Sequence, residues 1–178
     1  MVAIAKFLWL ALTVTAATIR RDVITVQDDI TKRLGPQLST LSKDVKGFPG
    51  SGVDGALAIQ ADFKTLTATF KTATSNVKAT GSFGVVSGTT ILSYIQVNLV
   101  PTTLHTLVSL QDQVSAWADV EGGKALVLAQ LKELNSATST YFYAITAAEP
   151  LLQKSGAIAI QTQISGAFTT AIGVYAKN

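Results

Sequence analysis

The spacing of the apolar residues constrains the fold of this chain more than any other feature. In the first long segment they recur at intervals of three and four: Val23, Val26, Ile30, Leu34, Leu38, Leu41 and Val45. This spacing gathers apolar side chains on one face of an α-helix. No segment shows the convincing alternation of apolar and polar residues that a half-buried strand requires. The periodicity therefore predicts an all-α protein.

Glycine and proline divide the periodic pattern into five or six helices. The breaks fall at 47–52, 81–84, 122–123 and 150. Helices of roughly 15 to 27 residues with such short connections pack beside one another in opposite directions. We therefore predict an antiparallel bundle of five, or six, long amphipathic helices. Pro36 and Pro101 lie inside periodic segments, where each either bends or divides its helix.

The same spacing predicts the inner faces of the later helices. In chain order they are Leu57, Phe63, Leu66, Phe70, Ala73 and Val77; Ile91, Leu92, Ile95 and Leu99; Leu104, Leu107, Val108, Gln111, Val114 and Trp117; Val127, Leu131, Leu134, Thr138, Tyr141, Phe142 and Ile145; and Leu151, Ile160, Ile164, Phe168, Ala171 and Tyr175. Ser51 or Asp54 is the predicted cap of the second helix, because both side chains can accept a bond from the first free amides.

The first residues have the layout of a secretory signal peptide, which we predict at 1–17. Lys6 supplies a short positive region, residues 7–14 are apolar, and Thr15-Ala16-Ala17 offers small residues for cleavage. The apolar run is shorter than the roughly 20 residues that span a bilayer, and we predict no transmembrane helix. The protein is therefore expected to be secreted and extracellular.

A basic pair, Arg20-Arg21, follows the signal peptide. It is typical of a processing site and predicts a short pro-segment at 18–21; the alternative is two charges at a helix start. Residues 22–178 then form a single helical-bundle domain. Removing Lys6 and the basic pair from the 14 Lys and Arg leaves 11, which balance the 11 Asp and Glu. A neutral domain gives no reason to predict nucleic-acid binding.

The sequence offers little catalytic chemistry, and we predict no enzyme, no metal site and no cofactor. His105 is the only histidine, there is no cysteine, and no G-x-S-x-G elbow occurs. The acidic groups at 28–29 and 119–121 are interpreted as solvated charges rather than as paired catalytic carboxylates. The glycines of 50–55 match a dinucleotide-binding fingerprint, but they follow a helix and a proline, so we interpret them as an interhelical loop.

An ordered series of features has a counterpart in a known family. The series is Val23, Val26 and Ile30; Leu38 and Leu41; the Phe48-Pro49-Gly50 loop; Leu99-Val100-Pro101-Thr102; Trp117; Gly122-Gly123; 126–134; Tyr141-Phe142-Tyr143; Pro150; 164–172; and Tyr175. In this order the features resemble the fungal hydrophobic surface-binding protein A family, which includes the antigenic cell-wall galactomannoproteins. The resemblance extends over nearly the whole chain after the signal peptide.

The resemblance implies a secreted or wall-bound fungal protein without catalytic activity. Some members of the family adsorb to hydrophobic solids and help to recruit secreted hydrolases such as cutinases or polyesterases. The galactomannoprotein members look like helical bundles that enclose a fatty acid in an apolar tunnel. This sequence has neither the Ser/Thr-rich stalk nor the anchor signal of the wall-anchored members, which favours a freely secreted protein.

Three functions follow as hypotheses. The first is binding of a fatty acid or other lipid in an apolar tunnel between helices, since bundle interiors are common ligand sites. The second is adsorption to hydrophobic surfaces with recruitment of a secreted hydrolase, and the third is a structural, antigenic wall mannoprotein without a specific ligand. Candidates for the tunnel lining lie near the middle of the helices: Phe63, Leu66, Phe70, Ile95, Leu99, Leu131, Leu134, Phe142, Ile145, Ile164 and Phe168.

A lipid carboxylate in such a tunnel would need hydrogen-bond donors. Ser or Thr hydroxyls near a tunnel mouth can serve, and the residue types do not single one out. Arg33 is the only arginine after position 21, so a strong ion-pair clamp is not expected. Leu99-Val100-Pro101 is a candidate hinge or tunnel mouth.

Overall fold

Seven helices arranged as five rods make up residues 22–177, the part of the chain that the computed structural model describes. They are α1 (22–47), α2 (Gly52–Thr80), α3 (Val85–Asn98), α4 (Val100–Asp112), the short α5 (Val114–Ala118), α6 (Gly123–Ala148) and α7 (Leu151–Ala176). No strand occurs in these residues, and the predicted all-α bundle is confirmed. None of the helices combines the length and the apolar character needed to cross a bilayer. The predicted signal peptide and pro-segment lie outside the described residues.

Pro36 does not end α1. The helix widens into a π-helical turn at Asp29–Leu34, and the Gly35 N–H bonds to the Ile30 carbonyl, five residues back. Pro36 then lies in the first turn of the α-helical part, Gly35–Gly47, where its missing N–H is tolerated. In a π-helical turn each N–H bonds to the carbonyl five residues back instead of four. The carbonyls before Pro36 are bonded in this wider pattern, and the helix continues past the proline.

Pro101 has a different effect, because α3 and α4 are separate helices that meet at a single residue. At this junction the Leu99 N–H bonds to the Ile95 carbonyl, and the Thr103 N–H bonds to the Leu99 carbonyl, both at 2.9 Å. Pro101 again lies in the first turn of the new helix. The two helices therefore form one bent rod with its bend at Leu99.

The five rods close into a ring in the order α1, α2, α6, α7, α3–α4 and back to α1. Successive rods along the chain reverse direction, as the predicted antiparallel bundle requires. Rods that are neighbours in space do not always run in opposite directions. Lys71 pairs with Glu133, and the Phe83 N–H, just after α2, bonds to the Ala148 carbonyl at the end of α6. These contacts follow both helices in the same order, so α2 and α6 run parallel. With five rods in a ring, strict alternation around it is geometrically impossible.

The inner faces follow the predicted spacing with a few errors. Leu57, Val108 and Leu151 are exposed by 57%, 52% and 88%. In α2 and α4 the error is one position: Ala56 and Leu107 face the core, and the next residue in a helix points about 100° away. In α7 the buried face begins only at Ala157, more than one and a half turns after the helix start at Leu151.

Two further predictions at the start of α2 were wrong. Ser51 occupies the N-cap position of α2, but its side chain makes no capping hydrogen bond. Of the glycines interpreted as a loop, Gly52 and Gly55 belong to the first turn of the helix. The turn that separates α1 from α2 is therefore shorter than the run of Gly and Pro suggests.

Aromatic packing closes the end of the bundle where α1 ends. Phe48 stacks on Trp117 with ring centroids 4.2 Å apart, and both side chains are buried. Gln113 donates hydrogen bonds from Nε2 to the carbonyls of Val45 and Phe48, at 2.7 and 2.8 Å. The short helix α5 thus fixes the carboxyl end of α1 against that of α4.

A buried carboxyl group lies at the opposite end, between α6 and α3. Neither oxygen of Glu149 has a hydrogen-bond partner, and a Cβ at Gly88 would overlap Oε2. Glycine at position 88 is what allows this approach. Burial raises the pKa of Glu149 to about 7 from an ordinary value of 4.5, since the desolvated carboxyl favours its neutral form.

The raised pKa of Glu149 predicts that the fold loses stability as the pH rises. Between pH 4.5 and about 7 the folded state holds a proton that the unfolded state has released, so the unfolding free energy falls through this window. The Glu149→Gln variant should be more stable than the wild type at pH 8, by about 1–3 kcal/mol, and no different at pH 4. Urea unfolding at both pH values measures this, with the exposed Glu121→Gln as the control. An equal gain at both pH values would contradict it.

Candidate ligand-binding site

A small void lies on the axis of the bundle, and every rod of the ring contributes to its lining. The lining residues are Leu38 of α1, Leu66 and Phe70 of α2, Leu99 and Thr103 at the α3–α4 junction, Leu134, Thr138 and Phe142 of α6, and Ile164 and Phe168 of α7. Eight of the ten side chains are apolar. The ring of helices therefore surrounds an almost entirely hydrocarbon interior.

Seven of the eleven predicted lining residues meet at this void: Leu66, Phe70, Leu99, Leu134, Phe142, Ile164 and Phe168. The other four, Phe63, Ile95, Leu131 and Ile145, are fully buried in the core but do not border the void. Sequence reasoning missed Leu38, Thr103 and Thr138 as lining residues. Leu38 and Thr138 stand on faces that the apolar spacing identifies, and Thr103 follows Leu99 by one helical turn.

The void is closed in this structure. Its volume is about 10 Å³, room for roughly one water molecule. Pockets that hold small ligands usually measure some 300–1,000 Å³. A lipid chain can enter only if the surrounding helices separate. As it stands, the site is a closely packed apolar core that contains one small void.

Thr138 is the one residue of this lining whose polar group has no partner. Its Oγ1 is buried and has no hydrogen-bond partner. The other hydroxyl of the lining, on Thr103, donates to the Leu99 carbonyl at 2.7 Å, within its own helix. An unsatisfied buried hydroxyl costs about 1–3 kcal/mol, so Thr138 is held at this position at some expense of stability.

A second polar group lies behind the aromatic wall of the void. Tyr141 packs edge to face on Phe70 and Phe142, with centroids 5.5 Å apart in both pairs. Its hydroxyl is buried without a hydrogen-bond partner, and burial together with the nearby Asp29 raises its pKa. The phenol therefore stays neutral.

The interpretation of Asp28 and Asp29 as solvated charges was wrong for Asp29. Asp28 is partly exposed and pairs with Lys32, but Asp29 is buried. Asn76 of α2 donates to its Oδ2 at 2.7 Å, and Arg33 pairs with its Oδ1 at 3.0 Å. Asp29 thus links α1 to α2, and Arg33 is already engaged with it.

The fold and the void define a class of protein: a helical bundle closed around an apolar core with a small central void. The chain belongs to the family described as hydrophobic surface binding protein A, whose sequence model matches residues 23–147. No curated protein matches the sequence significantly. The family is described by its binding to hydrophobic surfaces.

Solved structures of similar fold contain fatty acids. The crystal structure of AfMP4p in complex with palmitic acid has a TM-score of 0.80 and 25% identity, covering 86% of this chain and 99% of that chain. Ligand binding domain 1 of the Penicillium marneffei MP1 protein, complexed with arachidonic acids, has a TM-score of 0.79 and 13% identity, covering 87% and 99%. Ligand binding domain 2 of the same protein, complexed with multiple arachidonic acids, has a TM-score of 0.78 and 12% identity, covering 87% and 97%.

The two threonines of the void provide a matched pair of substitutions. Thr138→Val removes a hydroxyl that has no partner and should stabilise the ligand-free protein by about 1 kcal/mol. Thr103→Val removes a hydrogen bond and should destabilise it by about 0.5–1.5 kcal/mol. Urea unfolding of delipidated protein measures both, and loss of stability in Thr138→Val would mean that the hydroxyl has a partner.

Proposed function

We propose that this protein binds a fatty acid, or another lipid with a single long chain, in the void between its helices, without chemical conversion of the ligand. The observation that carries the proposal is the position of the void. All five rods line it, its walls are apolar, and its one unpaired polar atom is on Thr138. The palmitic and arachidonic acids of the similar structures support a fatty acid as the ligand.

The energetics favour an acyl chain over a smaller ligand. Each buried methylene contributes about 0.8 kcal/mol, so a sixteen-carbon chain gains on the order of 10 kcal/mol before the costs of association. Part of that gain offsets the separation of the helices. A short apolar molecule would gain too little to open the closed core.

The bundle can open at its middle with little loss of specific bonding. No side chain of the lining makes a hydrogen bond to another helix in the described part of the chain, since the Thr103 hydroxyl bonds within its own helix. The bonds that join different helices lie mostly toward the two ends, such as Gln113 to Val45 and Tyr175 Oη to Leu110. Separation of the helices around the void therefore requires mainly the loss of apolar contacts.

Saturable binding and thermal stabilisation should both be observed. With palmitate at about 100 times its Kd, the folded state gains about 2.7 kcal/mol, which raises Tm by roughly 5–10 °C for a domain of this size. Delipidated protein titrated with palmitate, followed by native mass spectrometry and by thermal scans, measures the stoichiometry and the shift. Hexanoate at the same concentration is the control and should give no shift.

The palmitate titration also tests the catalytic alternative. Palmitate recovered unchanged after denaturation agrees with a binding protein. A clean ligand-free mass at all palmitate concentrations, with an unchanged Tm, would contradict the proposal. It would leave surface adsorption or a structural role in the cell wall as the remaining functions.

Adsorption to hydrophobic surfaces is a second candidate, favoured by one exposed surface. Val85 and Val86 begin α3, Leu151 and Leu152 begin α7, and these four side chains are exposed by 55% to 88%. The two helix starts lie together, because Gln153 Nε2 donates to Thr89 Oγ1 at 3.3 Å. We call these four residues the aliphatic end. Recruitment of a hydrolase by adsorbed protein remains a prediction within this candidate.

The extracellular location belongs to the same proposal. The layout of residues 1–17 is that of a secretory signal peptide. Both lipid capture and adsorption to solids would then occur outside the cell. Association with a cell wall remains a prediction.

Adsorption should depend on the aliphatic end and not on aliphatic exposure in general. The Leu151→Ser/Leu152→Ser variant should be depleted from solution by polyester film several-fold less than the wild type, because the apolar area that meets the solid is reduced. Val53→Ser/Leu57→Ser is the control, since these side chains are also aliphatic and exposed, by 68% and 57%, but belong to the start of α2. Equal depletion of both variants would contradict the assignment.

A further inference from the structure

A basic groove runs along the outside of the seam between α1 and α4. Its volume is about 570 Å³, and its lining consists of Ser39, Ser42, Lys43, Lys46, Pro101, Thr102 and His105. Two lysines, one histidine and three hydroxyl groups thus face one space, and no carboxylate is among these residues. The described residues balance overall, so this groove is a local concentration of positive charge in a neutral domain.

The two lysines of the groove are free to meet an anion. Within residues 22–177 neither Lys43 nor Lys46 takes part in an ion pair, whereas Lys32, Arg33 and Lys71 each have a carboxylate partner. Asp44 lies between the two lysines in sequence, but its carboxyl group faces Asp62 of α2. Burial, together with this neighbouring Asp44, raises the pKa of Asp62 to about 6.

The groove and the void are separated only by the packing of α1 on α4. On α1, Leu38 of the void lies one helical turn before Ser42 of the groove. On the other rod, Leu99 and Thr103 of the void flank Pro101 and Thr102 of the groove. A head group in the groove and a chain in the void would therefore be continuous across one seam.

This seam is also where the helices are least regular. The π-helical turn of α1 ends at Leu34, just before Gly35, and α3 gives way to α4 at Leu99. The two irregular points face each other, since a Cβ at Gly35 would lie 3.7 Å from the Cβ of Asn98. Each break in the regular backbone bonding lowers the cost of moving one helix against the other.

The grooves along the seam between α2 and α6 have only one unpaired lysine, Lys78, among their described residues. Grooves of about 440 and 330 Å³ run along it, and Lys71 and Lys78 line them. Lys71 is neutralised by Glu133, which lies in the same groove and ties the two helices together at 3.0 Å. Both helices are regular there.

We propose that the α1–α4 groove binds the anionic head group of a single-chain lipid, through Lys43, Lys46 and the adjacent hydroxyls, while the chain passes between these helices into the void. The proposal rests on the proposed function and assigns the head group and the entry path of that same site. The shared chemistry is a small oxyanion at the end of an alkyl chain. A carboxylate and a phosphate monoester both have it.

The test compares three ligands with the same chain on three proteins. Palmitate, monohexadecyl phosphate and the neutral 1-hexadecanol are titrated into delipidated wild type, into Lys43→Ala/Lys46→Ala, and into Lys78→Ala as the matched lysine control. The double variant should lose about three- to tenfold in affinity for the anionic ligands and bind hexadecanol unchanged, because each exposed charge pair contributes modestly. The anion with the lower Kd for the wild type identifies the preferred head group.

Two results would overturn the head-group assignment while leaving the proposed function intact. One is an equal affinity of the double variant and the wild type for palmitate. The other is an affinity loss with Lys78→Ala instead. Failure of all three ligands to bind the wild type would overturn the proposed function itself, and the head-group site with it.

A disulfide beside the seam, from α1 to the last residue of α3, tests the entry path separately. The chain has no cysteine, and the 3.7 Å between the two Cβ positions suits a disulfide in the double variant Gly35→Cys/Asn98→Cys. Oxidised protein should take up palmitate at least tenfold more slowly than the same protein after reduction, which controls for strain at Gly35. Equal uptake rates in the two forms would overturn the passage of the chain between α1 and α4.

Discussion

Apolar packing in the middle of the bundle, with directional bonds toward its ends, is the constraint on which the rest of this structure depends. Near the start of α1, Asn76 bonds to the buried Asp29, and the Phe83 N–H bonds to Ala148. At the opposite end, Gln113 and Tyr175 bond to carbonyls of other helices. The chain has no cysteine, so no disulfide fixes the central turns. Hydrophobic contact, which is non-directional, holds the ring closed around the void.

The polar groups that the fold leaves without partners have a cost that apolar residues would avoid. Thr138 places an unpaired hydroxyl in the void, and Glu149 buries a carboxyl whose pKa is raised to about 7. A core selected for stability alone would replace both. The two groups have different effects. The unpaired hydroxyl of Thr138 lowers the stability of the packing at the centre of the bundle, and the carboxyl of Glu149 makes the stability of one end depend on pH. Neither group belongs to the basic groove, so the stability of the fold and the recognition of an anion are set by different residues.

The helices were predictable from the sequence because burial of a helix face follows a local period. The errors were local too: Leu57 and Val108 lie one position from the buried face. The ring order was not predictable, because it depends on which helix faces which, and α2 and α6 proved parallel. Asp29 was misjudged for the same reason. Its partner Asn76 is 47 residues away, and without that partner an acidic residue beside Asp28 is expected in solvent.

The candidate site was only partly predictable, for reasons that differ between the void and the groove. Seven lining residues came from the helical period, since the middle of an apolar face tends to meet the bundle axis. The helical period does not show which polar faces of two different helices lie side by side. Lys43 and Lys46 lie on one helix and His105 on another, and each alone resembles an ordinary solvated residue. Pro101 was recognised as a candidate hinge, but its neighbours in the groove come from α1, some 60 positions earlier.

The two candidate functions use different parts of the molecule, which lets one chain perform both. The aliphatic end is formed by the first turns of α3 and α7, whereas the basic groove begins beyond the junction at Leu99 and faces sideways. A protein that lies on a solid by its aliphatic end would still present the groove to solution. Sparse charge helps both functions: charged residues are only 14% of the chain, against about 25% in an ordinary domain. Few ions then need to be desolvated when the surface meets an apolar solid, and the two lysines of the groove meet little competition for an anionic head group.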